Sequence, residues 1–348
     1  MGYFRFILAS LVALSHTIVL PLNLGISAVV GFYFLSGYLM TESFAKFRIT
    51  HENPIRAFYL DRFFRIFPIF WVMFALSALL LYQRHALNID YKFFLESAII
   101  PNNYFFTFKL LSDQVIEPSW SLGAEIQFYI LIPLILLLSK KTQSIIAMIF
   151  LAGQIFALAM PNNIGYMFSS CSNYPWLICD GKVSDLFGYR YLSFALGIFL
   201  MGSICRHWHM GYKFGKSLVL SIFSMQLIFL FFILPINGLI NNVHTFPVSI
   251  GFLITIPACL VFLHFLKAGF SFGRLDFYLG KLAYPLFLSH MPAIAVVKYY
   301  LGDHNVNIFY APECLLCAIA ISLLLYFIQG YIDLLRYKIR GFGRITGQ

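Results

Sequence analysis

Three ionisable side chains stand within long apolar runs of this sequence: His16, Glu125 and His290. Such groups are costly inside a bilayer and usually face a cavity. An imidazole titrates near neutrality, so it takes a proton from a hydroxyl or accepts a transferred group itself. A carboxylate such as Glu125 steadies a charged imidazole or holds a sugar hydroxyl. Plainer readings remain open for each: a histidine that bonds a neighbouring helix, or an interfacial glutamate bathed in water. Pro285 and Pro292 flank His290 and should loosen the backbone around it, freeing carbonyls that then need partners.

Spacing adds a second kind of group. Arg5 precedes His16 by eleven residues, about 16 Å along a helix axis at roughly 1.5 Å per residue. One helix can therefore keep a guanidinium at a watery rim and carry a proton acceptor inside. Arg62 and Arg65, three residues apart, share a helix face where the third apolar run begins. Two arginines so placed make an anion clamp suited to the oxygens of a polyphosphorylated cofactor. They also suit a topology signal that touches lipid phosphates. The segment from Gly31 to Gly37 reads as small-residue packing, and Ser36 is a poor nucleophile candidate because no base neighbours it in sequence.

The elements that position these groups must lie in a membrane. Of 348 residues, 60% are hydrophobic and 11% charged, with 40 Phe and 21 Tyr; an ordinary soluble domain is roughly a quarter charged. A mean hydropathy of +0.81 agrees, and a water-soluble fold is excluded. Spans are expected near 6 to 22, 26 to 44, 64 to 82, 124 to 139, 143 to 160, 187 to 204, 217 to 235, 247 to 266, 282 to 298 and 313 to 335. The fold class is thus all-α, a polytopic bundle of about ten helices with both termini on one side. No small-residue cleavage site follows the first run, so that helix is expected to stay.

The net charge of +10 is scattered in short stretches between apolar runs, which fits membrane orientation and not a nucleic-acid footprint. With cytoplasmic termini, 18 of the 24 Lys and Arg residues fall on the inner side, among them Arg5, Lys46, Arg62, Arg65, Lys281 and Arg336. The largest outer segments are 83 to 123 and 161 to 186; the second holds Cys171 and Cys179, close enough for a disulfide-closed loop in an oxidising compartment. Cys205, Cys259, Cys314 and Cys317 read as small apolar residues. No metal site is expected, and His207 and His209 read as solvated loop residues.

Taken together, these segments resemble acyltransferase family 3, integral membrane proteins that include O-acetyltransferases of bacterial surface polysaccharides such as O-antigen. Arg5 and His16 have the family's Arg-x10-His spacing. Phe32 to Gly37 is similar to its Phe-Phe-x-x-Ser-Gly stretch with Tyr33 as the second aromatic. Arg62, Arg65, Ile66 and Pro68 match Arg-x-x-Arg-Ile-x-Pro. Trp120, Ser121, Leu122, Glu125, Phe128 and Tyr129 match Trp-Ser-Leu-x-x-Glu-x-x-Phe-Tyr. Tyr284 to Pro292 resembles the late Ser-Tyr-x-x-Tyr-x-x-His-x-Pro segment, with Ala283 and Phe287 in place of Ser and Tyr. One departure is that Val30 and Gly31 stand where many members carry an acid.

The resemblance implies transfer of an acyl group, most often acetyl, from cytoplasmic acyl-CoA to a hydroxyl of a glycan or lipid-linked sugar at a bacterial inner membrane. Acetyl-CoA is then a donor substrate, and no tightly bound cofactor is expected. Arg5, Arg62 and Arg65 would hold the CoA phosphates, His16 would act as base or nucleophile, and Glu125 would support it. Trp120 and His290 would contact the acceptor, with Trp120 stacked on a sugar ring. The implied partners are acyl-CoA, the acceptor sugar and membrane lipids, without nucleic acid. A single domain over 1–348 is expected, of the type lacking a C-terminal extracytoplasmic hydrolase-like domain. The rival from another class is a transporter or flippase of lipid-linked glycan, which would favour paired broken helices in inverted repeats.

Overall fold

The computed structural model describes residues 1–17, 24–85, 118–159, 192–209, 273–301 and 310–339, with scattered residues between 87 and 116 and residues 258 and 259. The described residues form eight helices and one minimal strand pair. These are α1 (Gly2–Ser15), α2 (Leu24–Thr50), α3 (Pro54–Gln83), α4 (Ser119–Leu137), α5 (Lys140–Ala159), α6 (Leu192–His209), α7 (Gly273–Leu301) and α8 (Tyr310–Ile339). Between α3 and α4, β1 (Tyr104–Phe105) pairs antiparallel with β2 (Phe108–Lys109), Tyr104 opposite Lys109. The expected spans at 217 to 235 and 247 to 266, and the Cys171–Cys179 pair, lie outside the described residues.

Among the described residues, four helices are long and apolar enough to cross a membrane: Pro54–Gln83, Ser119–Leu137, Gly273–Tyr300 and Tyr310–Ile339. The outer face of α8 shows what that means physically. Leu324, Phe327 and Tyr331 are 69%, 71% and 76% exposed, one apolar stripe at helical spacing. Lipid satisfies such a face and water does not. The chain is an integral membrane protein with a helical bundle.

Helix ends differ from the sequence expectation in two places that matter for the site. The third helix begins at Pro54, ten residues before the expected start at 64. Its start is set by Asn53, whose side chain accepts the Arg56 N–H at 3.1 Å, and by Pro54 in the first turn. Arg62 and Arg65 therefore lie more than two turns inside a helix and not at its mouth. The first helix ends at Ser15, where the His16 N–H bonds the Ala13 carbonyl at 3.3 Å and Thr17 donates its hydroxyl to the Leu14 carbonyl at 2.9 Å. These bonds tighten and close the last turn, so His16 caps α1 and is exposed, whereas a span running on to residue 22 would have sunk it. In contrast, α7 runs unbroken through Pro285 and Pro292.

The core is a single large cluster centred on α2, with Phe34, Phe44, Phe58, Phe70, Phe128 and Phe199 fully buried. Phe128 stacks on Phe199 with ring centroids 4.2 Å apart, joining α4 to α6. Glycine sets how closely α2 and α6 approach. A Cβ on Gly37 would sit 1.8 Å from the Phe199 carbonyl oxygen, and one on Gly202 would sit 1.9 Å from that of Phe34. Packing thus explains the glycine that ends the Phe32 to Gly37 stretch. The same close contact aligns α2 so that Phe32, Ser36 and Leu39, spaced at four and three residues, face away from α6 toward α1 and α7. Helix α6 continues to His209, and His207 meets the Lys140 ammonium there, its Nδ1 2.9 Å away, so it belongs to a helix end rather than a solvated loop.

Candidate active site

Two adjoining cavities among the described residues carry most of the charged groups singled out above. A wide vestibule of about 2360 Å³ lies among α1, α2, α3, α7 and α8. A deeper and much narrower chamber lies among α1, α2, α3, α4 and α7. They abut at Arg5, Leu39, Arg65 and Tyr284, which line both. Two guanidinium groups therefore stand at the passage from the outer space to the inner one.

The vestibule is built on charge. Arg5, Lys46, Arg62, Arg65, Lys281 and Arg336 line it against Glu42, Asp276 and Asp333, a surplus of three positive charges. Its walls are held by ion pairs. Lys281 lies 2.9 Å from Asp333, and Arg336 reaches both Asp333 at 3.0 Å and Asp61 at 3.2 Å. Asp276 accepts the Tyr3 N–H at 2.8 Å and pairs with the terminal amine at 2.9 Å, and Arg5 donates to the Gly280 carbonyl at 3.2 Å, so α1 is fastened along α7.

Arg62 and Arg65, expected as one clamp, have different settings. Arg62 is 3% exposed, paired with the fully buried Asp61 at 2.5 Å and bonded to Ser43 at 3.0 Å. Its guanidinium also lies over the rings of Phe58 and Tyr129 at 5.5 and 5.9 Å. Its charge is compensated where it stands. Arg65 reaches the chamber, where it and Arg5 each feel the Glu125 carboxylate.

The chamber wall is mainly apolar, from Val29, Phe32, Leu35, Leu122 and Phe287, with one polar knot. At that knot Ser36 donates its hydroxyl to Glu125 Oε1 at 2.6 Å, and Tyr129 donates to the same oxygen. Sequence spacing did not join Ser36 to a base, because 89 residues separate the two. Tyr284, also on the wall, donates to the Ile66 carbonyl at 2.9 Å, bridging α7 to α3. Val30, where an acid was absent, is fully buried in the core; the carboxylate that meets α2 comes from α4 as Glu125.

The two histidines come together beyond the chamber. The His16 and His290 rings lie 5.3 Å apart at 31°. His290 is 1% exposed, and its Nδ1 lies 2.6 Å from the Phe287 carbonyl oxygen. A carbonyl only accepts, so Nδ1 carries the hydrogen, and the neutral ring presents a lone pair at Nε2. Among the described residues that Nε2 has no hydrogen-bond partner. Phe287 joins the two regions, lining the chamber while its ring stands 5.9 Å from His290. Neither histidine lines the chamber itself, and Trp120 is half-buried in the first turn of α4 beside Ser121, which does. Among the described residues no group of three or more His, Cys, Asp or Glu is placed to hold a metal.

Residues 1–327 match the acyltransferase domain that defines acyltransferase family 3. The chain belongs to that family. An uncharacterized protein of Aquifex aeolicus (strain VF5) is 27% identical over 227 residues, covering 64% of this chain and 90% of that protein. No solved structure matches. As a member of acyltransferase family 3 the chain is a membrane acyltransferase, and its motif segments acquire a common place. Arg5, Ser36, Arg65, Glu125 and Tyr284, one from each segment, all line the chamber.

Proposed function

We propose that this acyltransferase moves an acyl group, acetyl in the first instance, from cytoplasmic acyl-CoA to a hydroxyl of a glycan or lipid-linked sugar. The observation that carries the reading is the convergence of all five motif segments on one chamber that abuts a basic vestibule. The vestibule's volume and positive surplus suit the phosphates of acetyl-CoA, with Arg5 and Arg65 at the inner threshold. The narrow, largely apolar chamber suits the thioester end of the donor, with the rest of the arm in the vestibule. Every basic residue lining the vestibule belongs to a segment that the Lys and Arg asymmetry assigns to the inner side, which supports a vestibule open to the cytoplasm.

The same asymmetry supports cytoplasmic termini, and the reading takes the chain as a single domain of ten spans in a bacterial inner membrane. At the other end of α1, the imidazoles of His16 and His290 serve the acceptor. His16 takes the proton of the acceptor hydroxyl, and the lone pair of His290 Nε2 and the ring of Trp120 orient the sugar. The acceptor approaches from the outer face.

The test uses membranes holding the full chain, labelled acetyl-CoA and the surface glycan of the host. Acceptor-dependent release of free CoA, with a glycan heavier by one acetyl group, is expected. At wild-type protein levels His16→Ala should lower transfer by about 10²-fold or more, the usual weight of a general base. Normal transfer in both His16→Ala and Arg65→Ala removes this site from the reaction.

A further inference from the structure

The chamber contains the parts of a covalent acyl-transfer site that the histidines do not explain. The Ser36 hydroxyl is hydrogen-bonded to the Glu125 carboxylate at 2.6 Å, and Tyr129 fixes the same carboxylate oxygen from the next turn of α4. Nucleophile, base and orienting group are thus in contact. Arg5 and Arg65 line the same chamber, so developing negative charge on a carbonyl oxygen or a departing thiolate has cationic partners there. His16, by contrast, is exposed at the end of α1, about 16 Å along the axis from Arg5. A thioester held at the two arginines is therefore beside Ser36 and remote from His16.

We propose that Ser36 takes the acyl group as an ester before the acceptor receives it, with Glu125 as its base. This rests on the acyl-CoA reading above and adds a step to it. Ser36 Oγ attacks the thioester carbonyl carbon and gives its proton to Glu125. The carbon–sulfur bond breaks, and CoA leaves as a thiolate beside the arginines and takes a proton from water in the vestibule. In the second half, the acceptor hydroxyl attacks the ester carbonyl and its proton passes through intervening water to His16. Ser36 Oγ departs and recovers the proton that Glu125 held, and His16, being exposed, releases its own proton to water. The sum is acyl-CoA plus hydroxyl giving ester plus free CoA, with both side chains restored.

The test is to mix full-length protein in detergent with labelled acetyl-CoA, quench in acid and map the label by peptide mass. In His16→Ala the acyl-enzyme should accumulate, because the first half proceeds and the second is blocked. The Ser36 peptide should then be heavier by one acetyl group and stable to neutral hydroxylamine. Ser36→Cys should shift the label to a thioester that neutral hydroxylamine releases, and this variant reads the position even where Ser36→Ala does not fold. Glu125→Gln should slow acylation by about 10²-fold or more. An unmodified Ser36 peptide in His16→Ala while CoA is released, or transfer at the wild-type rate in Ser36→Ala, overturns the acyl-serine and leaves acyl-CoA as donor. Failure of the wild-type protein to release CoA with glycan present refutes the donor reading itself, and the acyl-serine falls with it.

Discussion

Asp61→Ala isolates the electrostatic joint between α3 and α8. Asp61 is fully buried and takes Arg62 at 2.5 Å and Arg336 at 3.2 Å. Removing one member of a buried ion pair costs about 3–5 kcal/mol, since the partner's charge stays desolvated without compensation. Here the loss is partly offset. Arg336 keeps Asp333 at 3.0 Å, and Arg62 keeps the Ser43 hydroxyl and two aromatic faces. The expected cost is therefore about 3 kcal/mol, the low end of that range. At about 2 °C per kcal/mol for a large domain, the unfolding midpoint should fall by roughly 6 °C.

The buried thiols of Cys205, Cys259 and Cys314 supply the assay, because a thiol-reactive fluorophore reaches them only on unfolding. Replacing both partners by apolar groups, as in Asp61→Ala with Arg62→Met, should recover most of the loss, since no orphaned charge then remains. A midpoint unchanged in Asp61→Ala refutes the reasoning. So does a double variant less stable than the single one by the full cost of a second broken contact.

Two other perturbations read the helix packing and the vestibule. Gly37→Leu or Gly202→Leu drives a side chain into a carbonyl that a Cβ alone would meet at 1.8 or 1.9 Å. Both should separate α2 from α6 and reduce folded protein in a detergent gel-filtration profile, while Gly153→Leu, whose Cβ meets nothing within 4 Å, should not. Lys281→Glu reverses a vestibule charge that lies outside the chamber. It should raise the KM for acetyl-CoA by roughly five-fold, for about 1 kcal/mol, with kcat unchanged. The effect should shrink as salt rises, in steady-state assays at two ionic strengths.

The sequence made the helical membrane class plain because apolar runs of span length have few other physical uses. It singled out Glu125 because ionisable groups within such runs are rare, and Arg5 and Arg65 by their spacing from His16 and Arg62; all three line the chamber. What it could not show was contact between helices far apart in sequence. Ser36 looked inert for want of a neighbouring base, and only the packing of α4 against α2 supplies Glu125. Arg62 looked equivalent to Arg65, yet its partner Asp61 is the preceding residue and the pair is sealed between α3 and α8. Adjacent residues on a helix point about 100° apart, so sequence alone did not show them as a pair. Helix ends were misplaced for a related reason. Caps at Asn53 and Thr17 act through single hydrogen bonds that a hydropathy window averages away.

Where this chain departs from the family pattern is itself informative. Tyr33, Ala283 and Phe287 are the three substituted motif positions, and all three line the chamber. The packing glycine Gly37 and the charged residues Arg5, Arg65 and Glu125 keep the pattern. Backbone approach and charge placement are therefore held while the chamber wall varies. The exchange of Ser and Tyr for Ala283 and Phe287 removes two hydroxyls from the α7 side, and Tyr33 adds one on α2. On α7, Ala283 and Phe287 give the chamber an apolar surface beside Tyr284, and Phe287 leads on to His290. The one hydroxyl that α7 brings to this wall, that of Tyr284, is donated to the Ile66 carbonyl, whereas the Ser36 hydroxyl is bonded to a carboxylate that can serve as its base. If the acyl group is handled in this chamber as proposed, selectivity for the acyl chain would fall on side chains that can change without disturbing the helices that hold them, and Phe287→Tyr should alter the ratio of acetyl to longer acyl chains transferred.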